Sequence, residues 1–228
     1  MYERLFAGTP HELIAIRDAR SLAEAYNRGV AASRGDVVLL SHDDIDVLVP
    51  DFAARLHEHL RTFDALGVMG ATQMSGPGWT WSRHPHLRGW ITHRGPEEDG
   101  WYASVVDPRP VAGDIVVLDG VFMAARRSVF DEVRFDDETF DGFHLYDIDW
   151  SCRAAEAGFR LGVAGDLGIV HESRGRFGEK WAAYAERFCD KHWLDDLPPP
   201  PPSQLFEARF ETIEQLRSFF DRLTHLGT

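Results

Sequence analysis

The run Asp36-Val37-Val38-Leu39-Leu40 leads straight into Ser41-His42-Asp43-Asp44-Ile45-Asp46. An uninterrupted apolar run of this length reads as a strand covered on both faces, as inside an α/β sheet. Three carboxylates within four residues at its carboxyl end repel one another. Holding them beyond a buried strand is costly unless a cation neutralises them. Oxygen ligands with open positions for phosphate suit Mg²⁺ or Mn²⁺. The same residues also fit a simple turn ahead of a helix, where Asp complements the dipole.

The flanking sequence alternates strand and helix. Glu12 to Ile16 (ELIAI) predicts a short strand. Ser21 and Glu24 form a capping box for a helix that runs to about Ser33 and stops at Gly35. Pro50 is placed to open a second helix, with Phe52, Leu56, Leu60 and Phe63 as its buried stripe. Gly67 to Ala71 predicts another strand. This β-α-β-α-β order implies an α/β fold with a mostly parallel central sheet flanked by helices, whose ligands bind beyond the carboxyl ends of the strands.

Gln73 to Pro110 lacks periodicity and carries Trp79, Trp81, Trp90 and Trp101, which reads as a functional loop region. Strand signals resume from Asp114 to Ala125 and recur at RLGVAG and LGIVH. Helices are expected at about Ile148 to Ala157 and Lys180 to His192. Pro198 to Pro202 reads as a stiff linker and Thr212 to Leu226 as an amphipathic helix. The expected division is a main domain over 1–197 and a linker with a terminal helix over 198–228. That helix can dock on the same domain or on a neighbour, so a homo-oligomer is one possible state.

The net charge of −13 argues against a nucleic-acid partner, which needs clustered Lys and Arg. It leaves room for a nucleotide, since a divalent cation bridges carboxylates to a diphosphate. No apolar run approaches the roughly 20 residues of a membrane span, so no intrinsic membrane segment is expected. Two cysteines, Cys152 and Cys189, and no signal-peptide pattern make a cytoplasmic location the natural expectation.

Two further clusters carry chemistry. In Phe140-Asp141-Gly142-Phe143-His144-Leu145-Tyr146-Asp147-Ile148-Asp149-Trp150, carboxylates stand at the mouth of a helix. Such a group acts as a general base if its pKa and geometry suit, or simply caps the helix. In Ile169-Val170-His171-Glu172-Ser173, a histidine follows a short strand, as a metal ligand or as a structural residue.

Taken in order, these elements resemble the family 2-like glycosyltransferases of the GT-A fold. SLAEAYNRGVAASRGDVVLLSHDDIDVLVPDF resembles that family's segment leading to its Asp-x-Asp motif. RFDDETFDGFHLYDIDWSCRAAEAGFRLGV resembles its acceptor-side segment, and His171 its downstream histidine. The resemblance spans roughly residues 12 to 192. It implies that Asp18, Ser21, Asn27 and Gly29 face the nucleotide. It implies that Asp44 and Asp46 hold Mg²⁺ or Mn²⁺ on the donor diphosphate, with Asp43 an alternative first member beside the nucleotide sugar. Asp119 and Gly120 fall at the donor sugar or acceptor, Asp147 at the catalytic base, and His171 in the metal shell.

The chain departs from the family twice. Only eleven residues precede ELIAI, so one βα unit of the usual nucleoside pocket is expected to be absent. The usual acidic pair at the base is Tyr146-Asp147, with one carboxylate gone. The resemblance implies transfer of a sugar from a nucleoside-diphosphate donor to an acceptor hydroxyl, with inversion. The alternatives are a GT-A-like binding or scaffold domain serving a partner enzyme, and a nucleotidyltransferase; no Gly-rich, Lys- or Arg-bearing phosphate loop supports the latter.

Overall fold

The computed structural model of the protein describes residues 1–95, 100–173, 178–194 and 206–226. Its helices are α1 (Tyr2–Leu5), α2 (Leu22–Ala32), α3 (Phe52–His59), α4 (Arg127–Glu132), α5 (Tyr146–Glu156), α6 (Glu179–Lys191) and α7 (Ile213–Leu226). The strands are β1 (Val37–Ser41), β2 (Ile45–Val47), β3 (Ala65–Gly67), β4 (Met69–Ala71), β5 (Leu87–Arg94) and β6 (Trp101–Val105). They continue as β7 (Val111–Ile115), β8 (Val117–Leu118), β9 (Phe122–Arg126), β10 (Leu161–Ala164), β11 (Ile169–His171) and β12 (Phe206–Phe210).

One sheet is ordered β1-β9-β3-β10-β7 and a second β12-β6-β5-β11-β2, with β4 bridging β5 and β8. In the first sheet β1, β3 and β10 run one way. The oppositely running β9 sits between β1 and β3, so neighbouring strands there are antiparallel, and β10 pairs parallel with β3. The mixed α/β architecture is as expected, but the sheet is less parallel than the strand–helix alternation predicts. The reason is β9, which pairs between β1 and β3 rather than at an edge.

Period-two alternation explains how this sheet is buried. Val38 and Leu40 of β1, with Met123 and Ala125 of β9, face a core shared with Tyr26 of α2, Trp150 of α5 and Phe188 of α6. Phe122 and Ala124 face a second core with Phe52 and Leu56 of α3, and Val37 and Leu39 pack against it. The apolar run in β1 is thus packed on both sides. Val37 and Leu39 stay partly exposed because β1 is an edge strand among the described residues.

Local signals hold where the backbone supplies its own partners. The Ser21 side chain accepts from Glu24 N at 3.0 Å and caps α2, as the capping box predicts. Pro50 stands just outside α3, whose N-cap is Asp51. The predicted strands at Gly67 to Ala71 and Asp114 to Ala125 are each broken into shorter pieces that serve different sheets.

Other expectations fail. ELIAI forms no strand: Leu13 and Ile14 are exposed, and Glu12 instead accepts from Arg34 N at 2.6 Å. Counting strands from ELIAI therefore gives no measure of a missing βα unit. The stretch read as a loop contains the antiparallel pair β5 and β6, continued by β12 at the sheet edge. The Pro198 to Pro202 linker lies outside the described residues. Beyond it, α7 docks on the same body through Leu216 and Phe220, whose ring lies 4.7 Å from that of Trp90. Burying two such side chains contributes about 2 kcal/mol each. No described helix is long and apolar enough to cross a membrane.

Candidate active site

The candidate residues gather where β1 and β11 end and where β2 and α5 begin. β1 ends at Ser41, and His42 N continues its pairing by donating to Val121 O at 3.1 Å. The chain then bends into β2, which pairs antiparallel with β11 so that His171 stands opposite Ile45. The next rung, Glu172 N to Asp44 O at 2.8 Å, sets Asp44 beside His171.

Three donor atoms converge there. His171 Nε2 lies 3.1 Å from Asp44 Oδ1 and 3.2 Å from His42 Nδ1, and His42 Nδ1 lies 4.0 Å from Asp44 Oδ1. Donors bound at about 2.1 Å to one ion stand about 3.0 to 3.4 Å apart in octahedral or tetrahedral geometry. The three atoms fit a divalent cation after small adjustments, and they are the set among the described residues placed to hold one. Burial holds the His171 imidazole below its ordinary pKa, against the pull of Asp44, which keeps a lone pair available. Burial pushes the Asp44 carboxyl up, but the Ser173 hydroxyl, His171 and His42 outweigh it and leave it below the usual range. His93, at the end of β5, stands against His171 with ring centroids 5.5 Å apart.

The second half of the site is the turn Asp119-Gly120 against the start of α5. Gly120 N donates to Asp147 Oδ2 at 2.7 Å. A Cβ on Gly120 would meet Tyr146 Oη and come within 2.7 Å of Asp147 Cβ, so this close approach needs glycine. Asp119 accepts from the Trp79 indole at 2.9 Å and from Val121 N at 2.9 Å. Burial, reinforced by the Asp119 charge, pushes the Asp147 carboxyl up to about 7. An acid with that pKa is poised to take a proton near neutrality. The two halves are joined by Tyr146, whose hydroxyl lies 3.3 Å from His42 Nε2 and donates to Gly120 O at 3.3 Å.

Asp149 is different. It is fully buried and bound to Lys191 at 2.6 Å, Arg153 at 2.7 Å and His192 at 3.0 Å. Burial pushes its carboxyl up, but His192 and Arg153 outweigh that and hold it low. It fastens α5 to the end of α6. Neither acid is the N-cap of α5, which is Leu145 in a left-handed conformation.

The structure thus brings Asp44, His171, Asp119, Gly120 and Asp147 together. Asp46 is not part of the metal-type cluster; its carboxylate turns back and accepts from Val47 N at 2.8 Å. Asp43 is exposed beside the cluster. Of the residues expected at the nucleotide, Asp18 pairs with Arg28 on the surface at 2.8 Å and Ser21 caps α2. Asn27 clamps the backbone of Phe135, donating at 2.9 Å and accepting at 3.0 Å. Gly29 sits on α2 with nothing within 4 Å of an added Cβ. His42 and Tyr146 are the additions that sequence reasoning gave no role. Their signals were adjacency to the carboxylates for His42 and replacement of an acid for Tyr146.

Comparison with curated proteins returns no match. A family model described as a glycosyltransferase like family matches residues 4–192, which take in every element from α2 to α6 as well as the whole site. The chain belongs to that glycosyltransferase-like family.

Proposed function

We propose that the protein transfers a sugar from a nucleoside-diphosphate donor to an acceptor hydroxyl, with inversion, and that Mg²⁺ or Mn²⁺ assists. The observation that carries this reading is the placement of a metal-type cluster and a carboxyl with a pKa of about 7 on two halves of one site joined by Tyr146. Asp44 and His171 hold the ion. A bound divalent cation supplies charge neutralisation for the departing diphosphate.

Asp147 then has a defined task. It accepts the proton of the acceptor hydroxyl as that oxygen attacks the anomeric carbon, and the nucleoside diphosphate leaves from the opposite face. Gly120 N, bonded to Asp147 Oδ2 at 2.7 Å, fixes the carboxylate. Asp119 orients the Trp79 indole, whose ring offers a flat apolar wall for a sugar. A cytoplasmic site of action fits the chain's few cysteines.

One observation favours a second reading, a GT-A-like binding domain serving a partner enzyme. Ser21 and Asn27 are committed to backbone contacts, which leaves the nucleoside without the partners that the family resemblance assigns. Release of nucleoside diphosphate from a panel of nucleotide sugars, with Mn²⁺ and simple saccharide acceptors, separates the two. The transferase reading expects release from at least one donor and its loss in Asp147→Asn. Binding of a donor with no release under any acceptor would establish the binding domain instead.

A further inference from the structure

We propose that His42 is a metal ligand in its own right and that Tyr146 is its positioning residue, making the centre a two-imidazole, one-carboxylate site that prefers Mn²⁺ to Mg²⁺. The inference rests on the metal-assisted reading of this site and adds to it which residues and which ion.

His42 Nδ1, His171 Nε2 and Asp44 Oδ1 face one another, and Ser173 Oγ also stands 3.3 Å from His171 Nε2. Neutral imidazoles carry one N–H each, and a carboxylate carries none. If His42 uses its proton on Tyr146, its Nδ1 is bare and turned toward His171 Nε2 and Asp44 Oδ1, with the Ser173 hydroxyl beside Asp44. A divalent cation satisfies all three lone pairs at once.

The far side of His42 shows the arrangement that a ligating histidine needs. Its Nε2 faces Tyr146 Oη at 3.3 Å, and that hydroxyl donates onward to Gly120 O at 3.3 Å. The phenol oxygen can therefore accept from His42 Nε2, which fixes the tautomer with Nδ1 free to bind. Histidine ligands are held by such outer partners, and removing one costs 10- to 100-fold in metal affinity (about that range). Tyr146 is 3 % exposed and is wedged by Tyr26 and Phe135, with the Tyr26 hydroxyl beside its own. This gives the replacement of the usual acid by Tyr146 a physical reason: an acid here would sit buried beside Asp147, whereas a phenol orients His42 without adding charge.

The ion preference follows from the donors. Carboxylate and water oxygens suit Mg²⁺ and Mn²⁺ alike, and of the two it is Mn²⁺, the first-row transition ion, that takes imidazole nitrogen more readily. With His42 bound, nitrogen supplies two of the three protein donors, and Asp46 supplies none.

The test uses the full chain with MnCl₂ or MgCl₂ alone, no nucleotide, and reads binding by calorimetry and bound Mn²⁺ by pulsed electron paramagnetic resonance. Wild type is expected to bind Mn²⁺ more tightly than Mg²⁺, with nitrogen couplings from two imidazoles. His42→Ala loses one coupling. Tyr146→Phe, which keeps the ring contacts, weakens Mn²⁺ by about tenfold. The double variant binds no more weakly than His42→Ala alone, because Tyr146 acts through His42. Should His42→Ala unfold, His42→Gln provides the same readout. Equal affinity for the two ions, two nitrogens retained without His42, unchanged affinity in Tyr146→Phe, or no binding of either ion would each overturn the inference. Asp147→Asn keeps the ion and its nitrogen couplings even as it blocks transfer. Loss of turnover and loss of the nitrogen site are thus separable failures.

Discussion

Replacing Asp147 with Asn should make the protein more stable at alkaline pH while it destroys transfer. Burial and the Asp119 charge raise this acid from 3.8 to about 7 in the folded state. Between those two values the unfolded chain is ionised while the folded one holds its proton, so the folded form loses relative stability as pH rises and the loss levels off above 7. At about 1.36 kcal/mol per tenfold, the native protein gives up about 2 kcal/mol by pH 5 and about 4 kcal/mol by pH 8. An amide of the same shape carries no charge and can still accept from Gly120 N. Urea denaturation of both proteins in metal-free buffer measures the difference. The variant should gain little at pH 4, about 2 kcal/mol at pH 5 and about 4 kcal/mol at pH 8. A variant no more stable than wild type at pH 8, or a gain that is the same at every pH, refutes the account of a carboxylate strained by burial. The same titration predicts a transfer rate that rises with pH through about 7, since the base must be ionised.

Gly120→Ala forces a Cβ onto Tyr146 Oη and Asp147, so thermal denaturation should register a loss of about 1 to 3 kcal/mol and transfer should fall with it. Asp149→Ala strands Arg153 and His192 around a buried hole, while Lys191 keeps Asp136 at 2.6 Å. The cost is about 3 kcal/mol, at the low end for a broken buried pair because Arg153 and Lys191 are each 26 % exposed. Because the folded carboxyl is held low, this contribution is present above the ordinary carboxylate value and fades as acid protonates it, so wild type and variant should converge in acid melts. Ser21→Ala removes only the α2 cap and should cost about 1 kcal/mol with no change in Mn²⁺ binding; a lost ion would show that α2 reaches the metal cluster.

What could be read directly from the chain was local or pointed along a single element. The Ser21–Glu24 cap is a contact within four residues, and β1 announces itself by an apolar run ending in carboxylates. Asp44 and His171, 127 residues apart, were paired only through the family resemblance. The failures are of partnership. ELIAI has a strand's composition, but among the described residues no neighbouring strand accepts it. β5 was hidden because Trp90, Ile91 and Thr92 are consecutively buried between neighbours, which erases alternation. Asp46 was assigned to the ion on motif spacing, and the backbone of β2 turned its carboxylate onto Val47 N instead. His42 was hidden among stronger charges. Its role depends on the ring of Tyr146, 104 residues away, which no spacing rule reaches.

Under the proposed function, this site binds a nucleoside diphosphate through a metal ion held by Asp44. The direct measurement is calorimetric titration of UDP, GDP, dTDP and CDP into the protein, with Mn²⁺ and with chelator, for wild type and Asp44→Ala. The account predicts that one of the four binds only when Mn²⁺ is present and that Asp44→Ala abolishes this binding while its melting temperature stays near that of wild type. Binding that is equally strong in chelator, or that survives in Asp44→Ala, would contradict it.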